Sequence, residues 1–181
     1  MRIIAGKFKN RRLTMPKSDS VRPTSSRLRE TVFNICQGEI EGINFLDICA
    51  GSGAMGFEAL SRGAAMVMFI EKDPQAVTAI KRNVELLGVG EQTRVFSGDF
   101  TKILPRLSSP FDIIFADPPY ESGLSLEILS IVAQKKMMAE GGMLMIEEGA
   151  RVELPETAHS LTMESVRKTG EARLWIYTQR N

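Results

Sequence analysis

Ile43-Asn44-Phe45-Leu46-Asp47-Ile48-Cys49-Ala50-Gly51-Ser52-Gly53-Ala54-Met55-Gly56 decides the fold. An apolar run of strand length, Ile43 to Cys49, leads into a G-x-G-x-x-G turn, and helical spacing resumes from Ala54 to Arg62 before Gly63. Glycines at such a turn let the backbone approach a ligand, and the helix that follows presents free N–H groups. Twenty residues beyond Gly51, Glu71 closes the next apolar run, where a carboxylate can accept from ribose hydroxyls. In form this is a dinucleotide fingerprint, and it does not by itself separate NAD from another ribose-bearing cofactor.

Outward from that turn, strands and helices alternate. Strands are expected at Ala64 to Glu71, Thr93 to Ser97, Phe111 to Ala116 and Met143 to Glu147. Helices are expected at Pro74 to Leu87, Phe100 to Leu107 and Leu124 to Met138, the last closed by Gly141-Gly142. Such alternation with apolar strands predicts an α/β fold with a parallel sheet covered on both faces. The tail differs: Leu161 to Arg167, a turn at Thr169-Gly170, then Ala172 to Thr178 reads as a hairpin. Residues 2–14 read as a short hairpin turning near Gly6, and Thr24, Ser25 and Ser26 are N-cap choices for a helix ended by Gly38.

Three features weigh against NAD. Asp47 would repel a pyrophosphate but suits a cationic amino-acid group. Asp99 ends the third strand, where it can accept from an adenine amine. Asp117-Pro118-Pro119-Tyr120 ends the fourth, about seventy residues after Asp47, so all these groups share the carboxyl edge of the sheet. No histidine stands beside them to serve a dehydrogenase. S-adenosylmethionine fits the set, with its ribose on Glu71, adenine by Asp99 and methionine end over the glycine turn near Asp47.

The tetrapeptide suits methylation of an exocyclic base amine. Such nitrogens are weak nucleophiles because the lone pair is delocalised into the ring. Two acceptors on the N–H hydrogens, the Asp117 carboxylate and the Pro118 carbonyl, favour tetrahedral geometry and stabilise developing charge. Pro119 restricts the direction of that carbonyl, and Tyr120 can stack on the base. The competing structural reading is a strand-terminating turn with a packed tyrosine. Pyrimidine C5 chemistry needs a nucleophilic cysteine, and neither Cys36 nor Cys49 is placed as one. His159 has no metal-ligand spacing, so no metal is expected.

Bulk properties set the class. The 181 residues, 43% hydrophobic and 25% charged, fit one domain able to bury roughly 70% of its unfolded surface. No apolar run reaches the ~20 residues of a membrane span, the basic start lacks a signal-peptide core, and two unpaired cysteines suit a reducing compartment; a cytoplasmic protein is expected. Net charge is only +1, yet residues 1–30 hold nine basic side chains against Asp19 and Glu30. The surplus of seven there suggests either a solvated tail or a nucleic-acid surface, and its strand and helix patterning favours the latter.

On these residues the chain resembles the RsmD family of small-subunit (16S) ribosomal RNA guanine-N2 methyltransferases, within the class I S-adenosylmethionine-dependent superfamily. The marks are Arg2-Ile3-Ile4-Ala5-Gly6, Arg22-Pro23-Thr24, Arg27-Leu28-Arg29-Glu30, Phe33-Asn34, Asp47 to Gly56, Glu58 to Ala64, and Asp117 to Tyr120. The resemblance implies a Rossmann-like, mostly parallel seven-stranded sheet with a C-terminal antiparallel hairpin. It also implies monomeric behaviour and one guanine of the assembling small subunit as target. Residues 1–38 form the expected RNA-contacting extension, and residues 39–181 the methyltransferase domain. The expected cofactor-binding residues are Asp47, Cys49, Ala50, Gly51, Ser52, Gly53, Glu71, Lys72, Asp99 and Phe100. The expected RNA-binding residues are Arg2, Lys7, Lys9, Arg11, Arg12, Arg22, Thr24, Arg27 and Arg29, the catalytic ones Asp117, Pro118, Pro119 and Tyr120. N6-adenine methylation is the same-class alternative; a nicotinamide oxidoreductase and a non-catalytic RNA-binding module are the others.

Overall fold

Burial on both faces makes the central strands apolar throughout. In β1 (Asn44–Ile48), Phe45 packs into one core layer while Leu46 and Ile48 pack into the other. The remaining strands are β2 (Met66–Glu71), β3 (Thr93–Ser97), β4 (Phe111–Ala116), β5 (Met138–Gly149), β6 (Thr157–Ala158), β7 (Leu161–Thr169) and β8 (Ala172–Gln179). The helices are α1 (Ser26–Ile35), α2 (Ala54–Ser61), α3 (Pro74–Leu87), α4 (Phe100–Ile103) and α5 (Leu124–Gln134). This computed structural model describes residues 1–16, 25–36, 38–108 and 110–179; Arg22 and Thr24 lie outside the described residues.

The strands form one sheet in the order β3-β2-β1-β4-β5-β8-β7-β6. β1 to β5 pair in parallel, while β5–β8, β8–β7 and β7–β6 pair antiparallel. From β1 the chain steps outward through β2 to β3, then returns to the other side of β1 as β4. The neighbours β1 and β4 thus flank a topological switch point, where open α/β sheets bind ligands beyond the strands' carboxyl ends. The two-residue β6 adds an eighth strand to the seven expected.

Local chemistry accounts for the elements that frame the switch point. Helix α3 starts with Pro74 in its first turn and an Asp73 cap accepting from Ala76 N at 2.8 Å, and it ends on Gly88 at φ +65°. At α2, Gly56 faces β2 so closely that an added Cβ would lie 2.3 Å from Phe69 and 2.7 Å from Val67. The third glycine of the turn is therefore a packing residue.

Three expected boundaries are corrected. The helix expected from Phe100 to Leu107 is α-helical only to Ile103, after which Leu104–Arg106 tightens into a 3-10 turn with Pro105 in it. The last helix ends at Gln134, not Met138, and the fifth strand begins at Met138, not Met143. Lys136 takes φ +49° and turns the chain, so Met137 and the first strand residue, Met138, both enter the core. Gly141-Gly142 lies within β5, at the bulge that shifts its register with β4. The N-terminal hairpin reduces to a single antiparallel bridge, Arg2 to Arg12, closed by Ile3 N to Arg11 O (3.0 Å) and Asn10 N to Ile3 O (2.9 Å).

That N-terminal loop is fastened to α2. The fully buried Glu58 accepts from Ile4 N (2.8 Å), Ala5 N (2.9 Å), Arg29 Nη1 (3.2 Å) and Arg62 Nε (3.0 Å). Ser61 Oγ accepts from Phe8 N, and Ser61 O accepts from Lys7 N at 2.7 Å. Ile3, Leu13, Leu28, Val32 and Phe33 share a core layer with Phe45 and Phe57. Thr14 is clasped from both sides by the buried Asn83 of α3, which accepts from Thr14 N and donates to Thr14 O.

Candidate active site

At the carboxyl ends of β1, β2 and β4 lies a cleft of about 730 Å³, within the range of cofactor sites. Three loops meet in it. The turn after β1 contributes Cys49, Ala50 and Gly51; the end of β2 contributes Glu71 and Lys72; the end of β4 contributes Asp117 to Tyr120. Asp99 and Phe100 join from the start of α4. Seven of the ten expected cofactor residues thus line one cleft with all four expected catalytic residues. Asp47, Ser52 and Gly53 stand behind its wall.

Asp47 is the clearest departure. Its side chain is buried and accepts from Gly56 N at 3.0 Å, tying β1 to the first turn of α2. Burial pushes this carboxyl well above the usual range; the Gly56 bond opposes that and the neighbouring Glu71 adds to it. Asp47 shapes the glycine turn from beneath.

Glu71 is held in place before any ligand arrives. Its Oε1 accepts from Lys72 N (2.7 Å) and Asp73 N (2.8 Å), and its Oε2 accepts from Gly51 N (2.7 Å). Three of about four acceptor positions on the carboxylate are occupied. One remains for a ligand hydroxyl unless Gly51 N lets go. Asp99 sits exposed at the rim and caps α4, accepting from Thr101 N (2.9 Å) and the Thr101 hydroxyl (2.8 Å). Those two bonds hold its carboxyl below the usual range.

Among the described residues, Glu71, Asp73, Asp99 and Asp117 line the cleft against one cation, Lys72. A surplus of carboxylates favours a positively charged ligand and disfavours a pyrophosphate. The donor set therefore fits S-adenosylmethionine, which carries a sulfonium and an ammonium, better than NAD. Cys49, at φ +59°, has its thiol pushed up to about 12 by burial, then by Glu71 and Asp117. It stays protonated at neutral pH, which removes it as a nucleophile.

The tetrapeptide starts where Asp117 N donates to Ile48 O at 3.3 Å, across the switch point. Asp117 is half-buried, Pro118 buried and Pro119 exposed. The Pro119 carbonyl accepts from the Ser122 hydroxyl at 2.5 Å. The Pro118 carbonyl meets no donor among the described residues. Tyr120 packs against Gly149, where an added Cβ would lie 3.3 Å from Tyr120 Cβ.

With that cleft on an α/β sheet of this order, the comparisons with known proteins become specific. A family model described as "Conserved hypothetical protein 95" matches residues 1–178. Ribosomal RNA small subunit methyltransferase D of Escherichia coli K12 is 32% identical over 177 residues, 98% of this chain and 89% of that protein. The chain is a member of the RsmD family. YlbH of Bacillus subtilis strain 168 is 33% identical over 183 residues, spanning 99% of this chain and 100% of that protein. The solved structure of Escherichia coli yhhF superposes with a TM-score of 0.89 at 31% identity, covering 99% of this chain and 97% of that one. This family member has the Rossmann-like methyltransferase fold. Among its described residues no helix is long and apolar enough to cross a membrane.

The basic residues divide into three groups. Arg2, Lys7, Lys9, Arg11, Arg12 and Arg27 are exposed. Lys7 Nζ lies 4.9 Å over the Phe8 ring and 3.3 Å from Gln92 Oε1. Since Ser61 ends α2 and Gln92 precedes β3, Lys7 sits at the amino edge of the sheet, a strand length from the cleft. Arg29 is the second group and a correction: it is buried, donating to Arg2 O (2.9 Å), Glu58 and Ser26 Oγ (3.3 Å). An exposed phosphate cannot reach it. Arg22, the third, lies outside the described residues. Sequence reading missed Glu58, Asn83 and Glu148, three fully buried polar side chains, of which the first two hold the N-terminal segment and the third the loop after Tyr120.

Proposed function

We propose that this protein methylates the exocyclic N2 amine of one guanine in small-subunit ribosomal RNA, on assembling 30S particles, as a cytoplasmic monomer using S-adenosylmethionine. The observation that carries this is the meeting of Asp117 and Pro118 with Gly51 and Glu71 in one acidic cleft. The naming of relatives as small-subunit ribosomal RNA methyltransferases supports the substrate class.

When bound, S-adenosylmethionine supplies a methyl group activated on a sulfonium. Glu71 holds a ribose hydroxyl, and Gly51 lets the backbone come close. The carboxylates of the cleft hold positive charge in place. Asp117 and Pro118 O accept the amine hydrogens, and Tyr120 covers the base. Guanine suits an acceptor-only side chain, because its N1–H and N2–H₂ donate side by side, whereas adenine offers an acceptor beside its amine. A target base must leave its stack to reach this cleft. Exposed basic residues on the extension, residues 1–38, hold RNA backbone from the amino edge of the sheet upward.

Labelled S-adenosylmethionine offered with methylation-deficient small subunits, or with naked DNA, tests this reading. Label in the subunit RNA at a guanine amine is expected; label only in DNA would overturn it. Glu71→Ala should weaken cofactor binding by roughly 10- to 150-fold, the worth of charge-assisted hydrogen bonds. Calorimetry with S-adenosylhomocysteine checks this, and an unchanged Kd would remove the ribose role. If about six basic side chains meet phosphates, the salt slope for single-stranded RNA should be near −4. Affinity should then fall roughly 300-fold between 50 and 200 mM salt, and a flat titration would count against an RNA surface.

A further inference from the structure

Glu148 is buried in the protein interior beside the cleft, although no catalytic step uses it. Its Oε1 accepts from Glu121 N at 3.0 Å and from Gly149 N at 2.7 Å, and its Oε2 accepts from the Ser125 hydroxyl at 2.6 Å. Ser125, in the first turn of α5, is itself buried. One carboxylate thus joins the end of β5, the start of α5 and the residue that follows Tyr120.

Two further observations show what these bonds hold. Glu121 has φ +58°, a left-handed conformation that a non-glycine residue keeps only when its surroundings enforce it; its one N–H is bonded to Glu148. Tyr120 is braced on its other side by Gly149, where an added Cβ would come within 3.3 Å of Tyr120 Cβ. Tyr120, which lines the cleft, is thus followed by a residue pinned to a buried carboxylate and backed by a glycine.

We infer that Glu148 is a positioning residue for the target base: through Glu121, Ser125 and Gly149 it fixes the plane and height of the Tyr120 ring. This rests on the reading of Tyr120 as the surface on which the base stacks. Glutamine can replace it in kind, with Oε1 accepting from the two backbone N–H groups and Nε2 donating to Ser125 Oγ. Methionine, similar in size, can accept from none of them.

The test is steady-state methylation of methylation-deficient small subunits, with cofactor affinity measured separately. Glu148→Met should lower kcat/KM by roughly 5- to 150-fold, the worth of one base stack. Its affinity for S-adenosylhomocysteine should stay within about twofold, and Glu148→Gln should recover most of the loss. In a Tyr120→Ala background, Glu148→Met should cost less than about twofold, because its effect runs through the ring already removed. Ser125→Ala, which removes the donor to Glu148 Oε2, should give a smaller kcat/KM loss that is likewise masked in the Tyr120→Ala background, and it serves if Glu148→Met does not fold. An active wild type with kcat/KM unchanged in Glu148→Met, or additive losses in the double variant, overturns the Glu148 assignment alone. A wild type that transfers nothing to small subunits overturns the reading of the cleft and this inference with it.

Discussion

Replacing Asp117 by alanine should cut methyl transfer by about 10³-fold, the cost of removing one preorganised polar group at a developing charge. Cofactor affinity should fall far less, because Glu71, Asp73 and Asp99 keep the cleft acidic, and the fold should persist. Asp117 is half-buried on a loop beyond β4, and its backbone N–H, which alanine keeps, makes the bond to Ile48 O. Asp117→Asn sharpens the result. Asparagine turns one acceptor into a donor, which would oppose guanine N1–H but pair with adenine N1. On subunit RNA the asparagine variant should therefore remain far below wild type. Single-turnover rates on methylation-deficient subunits measure both. Wild-type turnover in Asp117→Ala would remove the catalytic role, and an asparagine variant as active as wild type would favour the adenine reading.

Much of this architecture was legible because its punctuation is chemical. Pro74 and Gly88 bound α3, and Thr93 to Ser97 and Phe111 to Ala116 are strands with the expected limits. The glycine turn, Glu71 and the tetrapeptide reach one cleft because a parallel sheet delivers all its carboxyl ends to one edge. The α5–β5 junction was not legible. Its turn is made by Lys136 in a left-handed conformation, which no residue preference marks, while Met137 and Met138 extend an apolar helical pattern.

Arg29 is a different kind of miss, since its periodicity was available. It lies four residues before Phe33 and three before Val32, on the stripe those side chains bury. Charge counting placed it outside; helical geometry places it inside. Glu58, its partner, follows Phe57 in a helix buried on every side, and nothing local distinguishes such a carboxylate from a surface one. Asp47 was misplaced for a related reason. A charge at the mouth of a site and a charge bracing the site's backbone occupy neighbouring sequence positions.

Glu58→Ala should cost about 3–5 kcal/mol of folding stability, the range for breaking a buried ion pair by removing one member. The loss is more than electrostatic. Among the described residues, the Arg29 guanidinium would keep only Arg2 O and Ser26 Oγ as partners, and its Nε meets no acceptor there. Burial, helped by the neighbouring Arg62, pulls this guanidinium down, and Glu58 is the main opposing influence. Ile4 N and Ala5 N would lose their acceptors as well, so the N-terminal loop should come away from α2 while β1, β2 and the glycine turn persist. Urea unfolding should show the lost stability. In Glu58→Ala, RNA affinity should fall with cofactor affinity unchanged, since the exposed lysines and arginines ride on that loop. A paired Glu58→Leu and Arg29→Met variant should recover stability, because apolar residues of matching volume replace buried charges well. A loss below about 1 kcal/mol in Glu58→Ala, with RNA binding intact, would mean that the loop is held by Ile3, Leu13 and Ser61 instead.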